Sequence, residues 1–177
     1  YKAKQILPSV DQVDSYLKRL QPIMRSITGR GYRQSLDILS EIVPFTYEDF
    51  PTGSHVHDWT IPHEWNINSA YIKDSRGNKI VDIQQNNLHV VNYSTPVDKF
   101  VDYDELTKHI HTIPELPNAI PYIASYYNPR WGFCMTYEQF ESLDRHDTYH
   151  VYIDSTLSDG FLRLGIATLQ GSSSEEI

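Results

Sequence analysis

Two histidine pairs in this 177-residue sequence have the residue type and spacing of metal ligands: His55 with His57, and His109 with His111. Residues two apart on a strand point to one face, so each pair could bring two imidazoles together. Asp58 adds a carboxylate beside the first pair. A catalytic zinc needs three protein ligands in register, and His109 falls in a helical pattern, in which residues two apart do not face each other. We therefore expect no catalytic and no metal-ligating residue in this chain, with a metallohydrolase built on His55, His57 and Asp58 as an open alternative.

A second group of residues with chemical potential lies in an aromatic-rich stretch, residues 120–134, around the turn signal Asn128-Pro129. The sequence predicts a hairpin here, with strands at residues 122–126 and 132–135. Tyr127, Arg130 and Trp131 would then lie at its tip and face a substrate or partner, while Tyr122 and Tyr126 would share one strand face. The alternative is that these aromatics fill a small β core.

Composition narrows the class of protein. The hydrophobic fraction of 40% and the charged fraction of 21% are typical of a soluble globular protein. A net charge of -8 argues against nucleic acid as a partner, because binding phosphates requires clustered Lys and Arg. No apolar run approaches the roughly 20 residues of a membrane span, and the start of the sequence does not resemble a signal peptide. We therefore expect a cytoplasmic protein without a membrane segment, in which the single cysteine, Cys134, is inert packing.

Two helices are predicted near the start of the chain. Residues 9–12 match a capping box, apolar residues follow at helical spacing, and Pro22 should end this first helix. A second helical face begins at Tyr32 and closes before Pro44. Between the helices, residues 25–31 offer hydroxyls, glycines and Arg25, a composition suited either to meeting an anion or to an ordinary helix cap.

Residues 45–169 consist mainly of short β patterns separated by turns. The pattern predicts a strand at residues 45–48, a hairpin of residues 70–73 and 79–83, a strand at 88–93, and a last hairpin of residues 149–154 and 161–169. Short helices are predicted at residues 102–109 and 136–143. The fold class is therefore α+β, with two amino-terminal helices followed by a mostly antiparallel β-rich domain that contains two short helices.

Five segments that occur together in order carry a family resemblance: Asp58-Trp59-Thr60-Ile61-Pro62, Leu88-His89-Val90-Val91, Tyr93-Ser94-Thr95-Pro96-Val97, His109-Ile110-His111-Thr112 and the aromatic stretch 120–134. With Arg25-Ser26-Ile27-Thr28-Gly29, they resemble a bacterial family of aminopeptidase-like proteins, linked with polysaccharide biosynthesis, in which a β-rich domain is inserted into a zinc-exopeptidase fold. The resemblance implies an α/β parent fold. It divides the chain into residues 1–50 of the exopeptidase-like domain, an inserted domain at 51–160, and a returning strand and linker at 161–177.

The resemblance also implies a function. This chain would be the amino-terminal and capping portion of a zinc aminopeptidase-like hydrolase and would shape the cleft for a peptide-like or aminoacyl small substrate. Zinc is expected only in the longer parent protein, with ligands beyond residues 171–177, and the sequence at Glu175 to Ile177 predicts that the chain continues. The expected substrate-binding residues are Arg25, Asp58, Trp59, His111, Tyr127, Arg130 and Trp131. The alternative is a carbohydrate- or peptide-binding module without catalysis, in which the tip aromatics, Trp59 and Trp65 stack on sugar rings or hold a peptide.

Overall fold

The computed structural model describes residues 9–126, 128–168 and 171. Two helices come first, α1 (Val10–Leu20) and α2 (Arg30–Leu39). The predicted capping box is confirmed, since the backbone N–H of Gln12 donates to Ser9 Oγ at 3.2 Å and that of Ser9 donates to Gln12 Oε1 at 2.8 Å. Helix α2 starts two residues earlier than predicted and ends at Leu39, well before Pro44.

The described residues form ten strands and two further helices in addition to α1 and α2. The strands are β1 (Thr46–Pro51), β2 (His55–Val56), β3 (Trp59–Thr60), β4 (Glu64–Lys73), β5 (Lys79–Asp82), β6 (Val97–Asp102), β7 (Ile110–His111), β8 (Phe133–Cys134), β9 (Thr148–Ser158) and β10 (Phe161–Ile166). The two helices are α3 (Tyr103–Thr107) and α4 (Tyr137–Glu141). Both short helices were predicted, and the capping box at Thr136 is confirmed; Asp102 is the side-chain cap of α3. The fold class is α+β with mostly antiparallel strands.

The centre of the molecule is a four-stranded antiparallel sheet with the order β5-β4-β9-β6. Its inner face buries alternating residues of β4 and β9, such as Ile72 and Val151, against Leu106, Phe133 and Met135. The predicted hairpin of β4 and β5 is confirmed. It forms because Asp74 accepts hydrogen bonds from the backbone N–H groups of residues 76 and 78, which closes the turn between the two strands.

Two predicted strand pairings and one predicted strand are wrong. Strand β9 does not form a hairpin with β10; it pairs with β4 and β6, while β10 pairs with β1 across 120 residues of sequence. Residues 122–126 do not pair with residues 132–135 either. Ala124 forms a parallel bridge with Asn92, and β8 runs parallel to β7. Residues 88–93 are not a strand, since Asn87–His89 is a 3₁₀ helix and the segment ends at Tyr93 with a positive φ of 64°.

Helix α2 is attached to the β-rich part of the chain by ion pairing and close packing. Arg33 donates two hydrogen bonds to the Glu64 carboxylate at the start of β4, at 2.7 and 2.8 Å. Gly165 of β10 lies so close to Leu36 that an added Cβ would be 3.0 Å from its Cδ2 atom. The β1–β10 ladder therefore lies next to α2 and joins the first and last strands of the chain.

Candidate functional site

A cavity of about 520 Å³ lies between the end of β3, the end of β9 and the segment that contains Ser125, Tyr126 and Pro129. We call it the hairpin cavity. Its wall is mainly apolar and aromatic, and it is lined by Thr52, Gly53, residues 60–63, Tyr93, Ser125, Tyr126, Pro129, Leu157 and Asp159. The volume and the few polar groups are typical of a site for a small organic molecule.

Tyr93 is the residue around which this cavity is built. Its φ of 64° is unusual for a bulky side chain, and such backbone geometry persists only where the surroundings impose it. The ring stacks on Trp65 with centroids 5.8 Å apart and meets the Tyr126 ring edge-on at 5.0 Å. These contacts fix the aromatic wall of the cavity.

A chain of hydrogen bonds anchors the Tyr93 hydroxyl. Tyr93 donates to the backbone oxygen of His63 at 3.1 Å and contacts Thr28 Oγ1 at 2.5 Å, and Thr28 Oγ1 in turn accepts from the backbone N–H of Trp65 at 3.2 Å. Burial raises the pKa of Tyr93 to about 12. The phenol is therefore neutral at physiological pH, and it positions the wall of the cavity without acting as a base.

A histidine and a carboxylate also line the hairpin cavity. His63 Nδ1 is 3.2 Å from Asp159 Oδ1, and both side chains are mostly exposed to solvent. Exposed pairs of this kind contribute little to stability. They provide a polar edge that could contact a polar group of a bound molecule.

A second, smaller cavity of about 240 Å³ lies beside the segment between α1 and α2, and we call it the connector cavity. It is lined by Ile23, Met24, Arg25, Asn87, Leu88, Asn92 and Tyr122. The Tyr122 hydroxyl is 3.1 Å from that of Tyr126, which lines the hairpin cavity. The prediction that these two tyrosines share one strand face is wrong, because residues 122–126 do not form a strand, although their hydroxyl groups meet.

Trp131 belongs to a third group of residues, away from the lining of both cavities. Its ring stacks on that of His109 with centroids 3.5 Å apart, and Lys99 Nζ lies 4.9 Å from the ring centroid. His111 is half-buried, and its pKa is lowered by burial first and then by the positive charges of Arg130 and His109. Arg130 is exposed.

The structure therefore distributes the expected substrate-binding residues over three places. Arg25 lies at the connector cavity. Asp58 and Trp59 lie on the β2–β3 hairpin, next to Thr60, which lines the hairpin cavity. The third group consists of His111, Arg130 and Trp131. Tyr127 lies outside the described residues. Substrate binding by these seven residues stays a prediction. Trp65 is only 3% exposed, so the alternative in which it stacks on a sugar ring is wrong.

The histidine pairs do not share strand faces as the spacing suggested. Strand β2 ends at Val56, and His57 has a positive φ of 54°, which turns the chain away from the strand. His109 lies after the end of α3 and not within a helix. Among residues 9–126, 128–168 and 171, no three His, Cys, Asp or Glu side chains are close enough to hold a metal ion. The described residues therefore do not fit a zinc centre.

Cys134 is fully buried in β8, and burial raises the pKa of its thiol to about 12. This agrees with the packing role expected from the sequence. Over the same described part of the chain, none of the helices has the length and apolar character needed to cross a bilayer.

The sequence did not single out His63, Asn92 or Tyr93 as lining residues of a cavity. The sequence contains a weak indication for Asn92, because it is a polar residue within the apolar run 88–93. Polar residues are uncommon inside a buried strand, which this run was predicted to be. The sequence contains none for Tyr93, because a positive φ at a tyrosine follows from contacts with residues distant in sequence.

Comparisons with known proteins identify the family. Residues 64–156 match the model of the family described as "Domain of unknown function (DUF2172)". The chain is 44% identical over 166 residues to a protein of Clostridium acetobutylicum named "Putative polysaccharide biosynthesis protein with aminopeptidase-like domain". That alignment covers 94% of this chain and 38% of the relative, so the chain spans well under half of the relative's length.

A solved structure gives the same result. The crystal structure of a protein from Clostridium acetobutylicum, titled as that of a "putative peptidase", matches with a TM-score of 0.84 and 44% identity over 88% of this chain and 36% of that one. These findings confirm the resemblance to an aminopeptidase-like family that the sequence motifs indicated. The family model covers more than half of the residues of this chain, and the chain therefore belongs to the DUF2172 family.

Proposed function

We propose that this chain is the amino-terminal and capping portion of a zinc aminopeptidase-like hydrolase. In this proposal α1 and α2 belong to the catalytic fold, the β-rich domain shapes the substrate cleft, and the substrate is a small peptide-like or aminoacyl compound. The protein acts in the cytoplasm and binds neither nucleic acid nor a membrane.

The observation that carries the proposal is the pairing of β1 with β10 beside α2. Thr46 is opposite Ile166 and Pro51 is opposite Phe161, so the chain enters and leaves the β-rich part at one place. Arg163 of β10 also donates two hydrogen bonds of 2.7 Å to Asp49 of β1. A domain inserted into another fold needs its two ends close together, and this ladder supplies that arrangement.

The exposed apolar face of the two helices supports the same proposal. Val10, Leu17 and Ile42 are 84%, 61% and 56% exposed, and a groove of about 540 Å³ lies between α1 and the end of α2. Contiguous exposed apolar surface of this kind is typical of an interaction site. The alignment leaves 62% of the Clostridium relative uncovered (100% less the 38% aligned). In the proposal, the corresponding part of a longer protein covers this face.

The hairpin cavity is the part of the cleft that this chain would contribute. Ile61, Pro62 and Leu157 form an apolar wall that suits the side chain of a substrate, and the His63–Asp159 pair offers a polar edge. The described residues do not fit a zinc centre, and in the proposal, following the family resemblance, the zinc ligands belong to the longer parent protein. Zinc in such hydrolases activates a water molecule, while residues of the kind found here bind and orient the substrate.

A chimera tests the proposal. This chain replaces the matching segment of the Clostridium relative, and kcat/KM is measured on a panel of aminoacyl 4-nitroanilides together with the zinc content. Leu157→Glu places a charge in the hairpin cavity, and Leu116→Glu changes an exposed leucine that does not line it. We expect Leu157→Glu to lower kcat/KM at least tenfold, equivalent to about 1.4 kcal/mol, and Leu116→Glu to leave it unchanged. Absence of hydrolysis by both the zinc-loaded relative and the chimera, or equal effects of the two variants, refutes the proposal.

One observation favours a second candidate, a carbohydrate- or peptide-binding module without catalysis. The outer face of the four-stranded sheet carries an aromatic row in which Phe100 stacks on His150 at 4.7 Å and Tyr71 stacks on Tyr152 at 5.0 Å. Phe100 is 71% exposed, which is unusual for a phenylalanine on a solvent-facing strand position. Binding to a glycan or peptide array that Phe100→Ser abolishes, without any hydrolysis by the chimera, would favour this candidate over the first.

A further inference from the structure

We infer that the connector cavity binds a free α-amino acid with an apolar side chain. The site is separate from the hairpin cavity, so the inference goes beyond the proposed hydrolase function. It depends on three features of the residues that line the cavity: a buried hydrogen-bond acceptor, an exposed guanidinium, and apolar side chains.

The acceptor is the side-chain oxygen of Asn92. Asn92 is only 4% exposed, and none of the described residues donates a hydrogen bond to its Oδ1 atom. The other end of the amide is engaged, because the Asn92 side chain hydrogen-bonds the Tyr122 hydroxyl. Native proteins rarely leave a buried polar atom without a partner, so this oxygen calls for a donor from outside the described residues.

An ammonium group is the donor that fits this position. Three N–H groups on one nitrogen can reach both Asn92 Oδ1 and the lone pair of the Tyr122 hydroxyl. The cavity volume of about 240 Å³ corresponds to roughly eight waters at about 30 Å³ each, so a small organic molecule has room there in place of ordered water. The cavity is also below the roughly 300 Å³ that marks sites for drug-sized ligands, which indicates a small molecule.

Arg25 supplies the complementary charge. Its Nη1 donates to the backbone oxygen of Leu20 at 2.7 Å, which holds the guanidinium at the cavity wall and uses one of its five N–H donors. No aspartate or glutamate is among the residues that line the cavity. A carboxylate on the ligand is therefore the natural partner for this guanidinium, which binds planar carboxylates in two-point fashion.

The remaining wall is apolar and held in place. Ile23, Met24 and Leu88 face the cavity, and Asn87 fixes the connector by donating through Nδ2 to the backbone oxygens of Gln21 at 2.6 Å and Ile23 at 3.3 Å. An ammonium and a carboxylate on one carbon, next to an aliphatic side chain, satisfy all three features at once. Leucine, isoleucine and methionine are the ligands of this class and size.

Calorimetric titration of the full chain tests the inference with L-leucine at up to about 10 mM, tenfold above a Kd of 1 mM. Two analogues are compared with it: isoamylamine, which lacks the carboxylate, and 4-methylpentanoate, which lacks the amine. We expect leucine to bind and each analogue to bind at least tenfold more weakly. Arg25→Gln should weaken leucine at least tenfold, whereas Arg76→Gln, a change to an exposed arginine of the β4–β5 turn, should leave its Kd unchanged.

Asn92→Leu removes the buried acceptor and should also weaken leucine at least tenfold, provided that its circular dichroism spectrum matches the wild type. If that variant fails to fold, Arg25→Gln and the two analogues still decide the matter. No heat of binding with leucine, equal affinity for isoamylamine, or unchanged affinity of Arg25→Gln each overturns the inference. The experiment measures binding and not hydrolysis, so its result does not depend on the proposed hydrolase function.

Discussion

Replacing Glu64 by Gln should substantially destabilise the fold, because this carboxylate ties α2 to the central sheet. Glu64 is 7% exposed and accepts two hydrogen bonds from Arg33 and one of 3.0 Å from Asn66 Nδ2. The Arg33 guanidinium, ahead of the opposing effect of burial, lowers the pKa of Glu64 from 4.5 to about 2. Glutamine keeps the shape of the side chain but leaves the Arg33 charge without its counter-ion.

The size of the effect follows from that pKa. At about 1.4 kcal/mol for each pH unit, lowering the pKa from 4.5 to about 2 corresponds to about 3 kcal/mol of stability supplied by the ionised carboxylate at neutral pH. For a chain of this size, a loss of about 3 kcal/mol lowers the Tm by about 6–12 °C. Loss of one partner of a buried ion pair costs about 3–5 kcal/mol in other proteins, which agrees with this value.

The pH dependence provides a sharper test. An acid whose pKa is lowered by folding contributes its full stabilisation above the unfolded pKa and loses it as the pH falls towards the folded pKa. The difference in unfolding free energy between wild type and Glu64→Gln should therefore be largest above pH 4.5 and shrink progressively down to about pH 2.

Urea unfolding at a series of pH values, followed by fluorescence, measures this difference. Glu41→Gln is the matched control, since Glu41 pairs with Arg19 on the surface, where the two side chains are 46% and 42% exposed, and its replacement should have little effect. Equal stability of Glu64→Gln and wild type at pH 7, or a difference that persists unchanged at pH 2, would refute the reasoning.

Four further substitutions have expected outcomes. Tyr93→Phe removes a buried hydroxyl that bonds Thr28 and the backbone of residue 63, so urea unfolding should show a loss of about 1–3 kcal/mol. Gly29→Ala should prevent folding, judged by circular dichroism, because the φ of Gly29 is 94° and the new Cβ would lie 2.2 Å from the backbone oxygen of Trp65. Gly53→Ala is its control: the φ of Gly53 is 83°, but no atom lies within 4 Å of the new Cβ, so this variant should remain folded with a lowered Tm. Trp131→Ala should lower the Tm, because the ring packs against the core and stacks on a histidine, and an unchanged Tm would favour a role in contacting a ligand.

The sequence predicted those elements whose causes lie within a few residues. The capping boxes at Ser9 and Thr136 and the Asp74 turn are local hydrogen-bond patterns, and each is present in the structure. Strand pairing could not be predicted in the same way. Residues 161–166 have the alternation of a strand, but nothing nearby indicates that their partner is β1 and not the adjacent β9.

The candidate cavities were missed for the same physical reason. The connector cavity combines the segment at Arg25 with Asn87, Asn92 and Tyr122, and these side chains meet only because residues 87–92 pack beside the connector between the two helices. Arg25 itself was among the expected binding residues, since a cation beside a helix start is recognisable from sequence alone. The unpartnered oxygen of Asn92 depends on the complete set of its neighbours, and a linear pattern does not contain that information.

The β1–β10 ladder also constrains the order in which the chain can fold. Bringing Thr46 to Ile166 closes a loop of 120 residues, for which the chain entropy lost is about 4 kcal/mol by the logarithmic dependence on loop length. If the four-stranded sheet forms first, it shortens that loop to residues 52–63 and 159–160, so the ladder should be among the last elements to form. During synthesis, β1 leaves the ribosome long before β10 exists. Its backbone donors and acceptors then remain without their strand partner until residues 161–166 have been made, which makes this edge the point at which a stalled or truncated chain would aggregate.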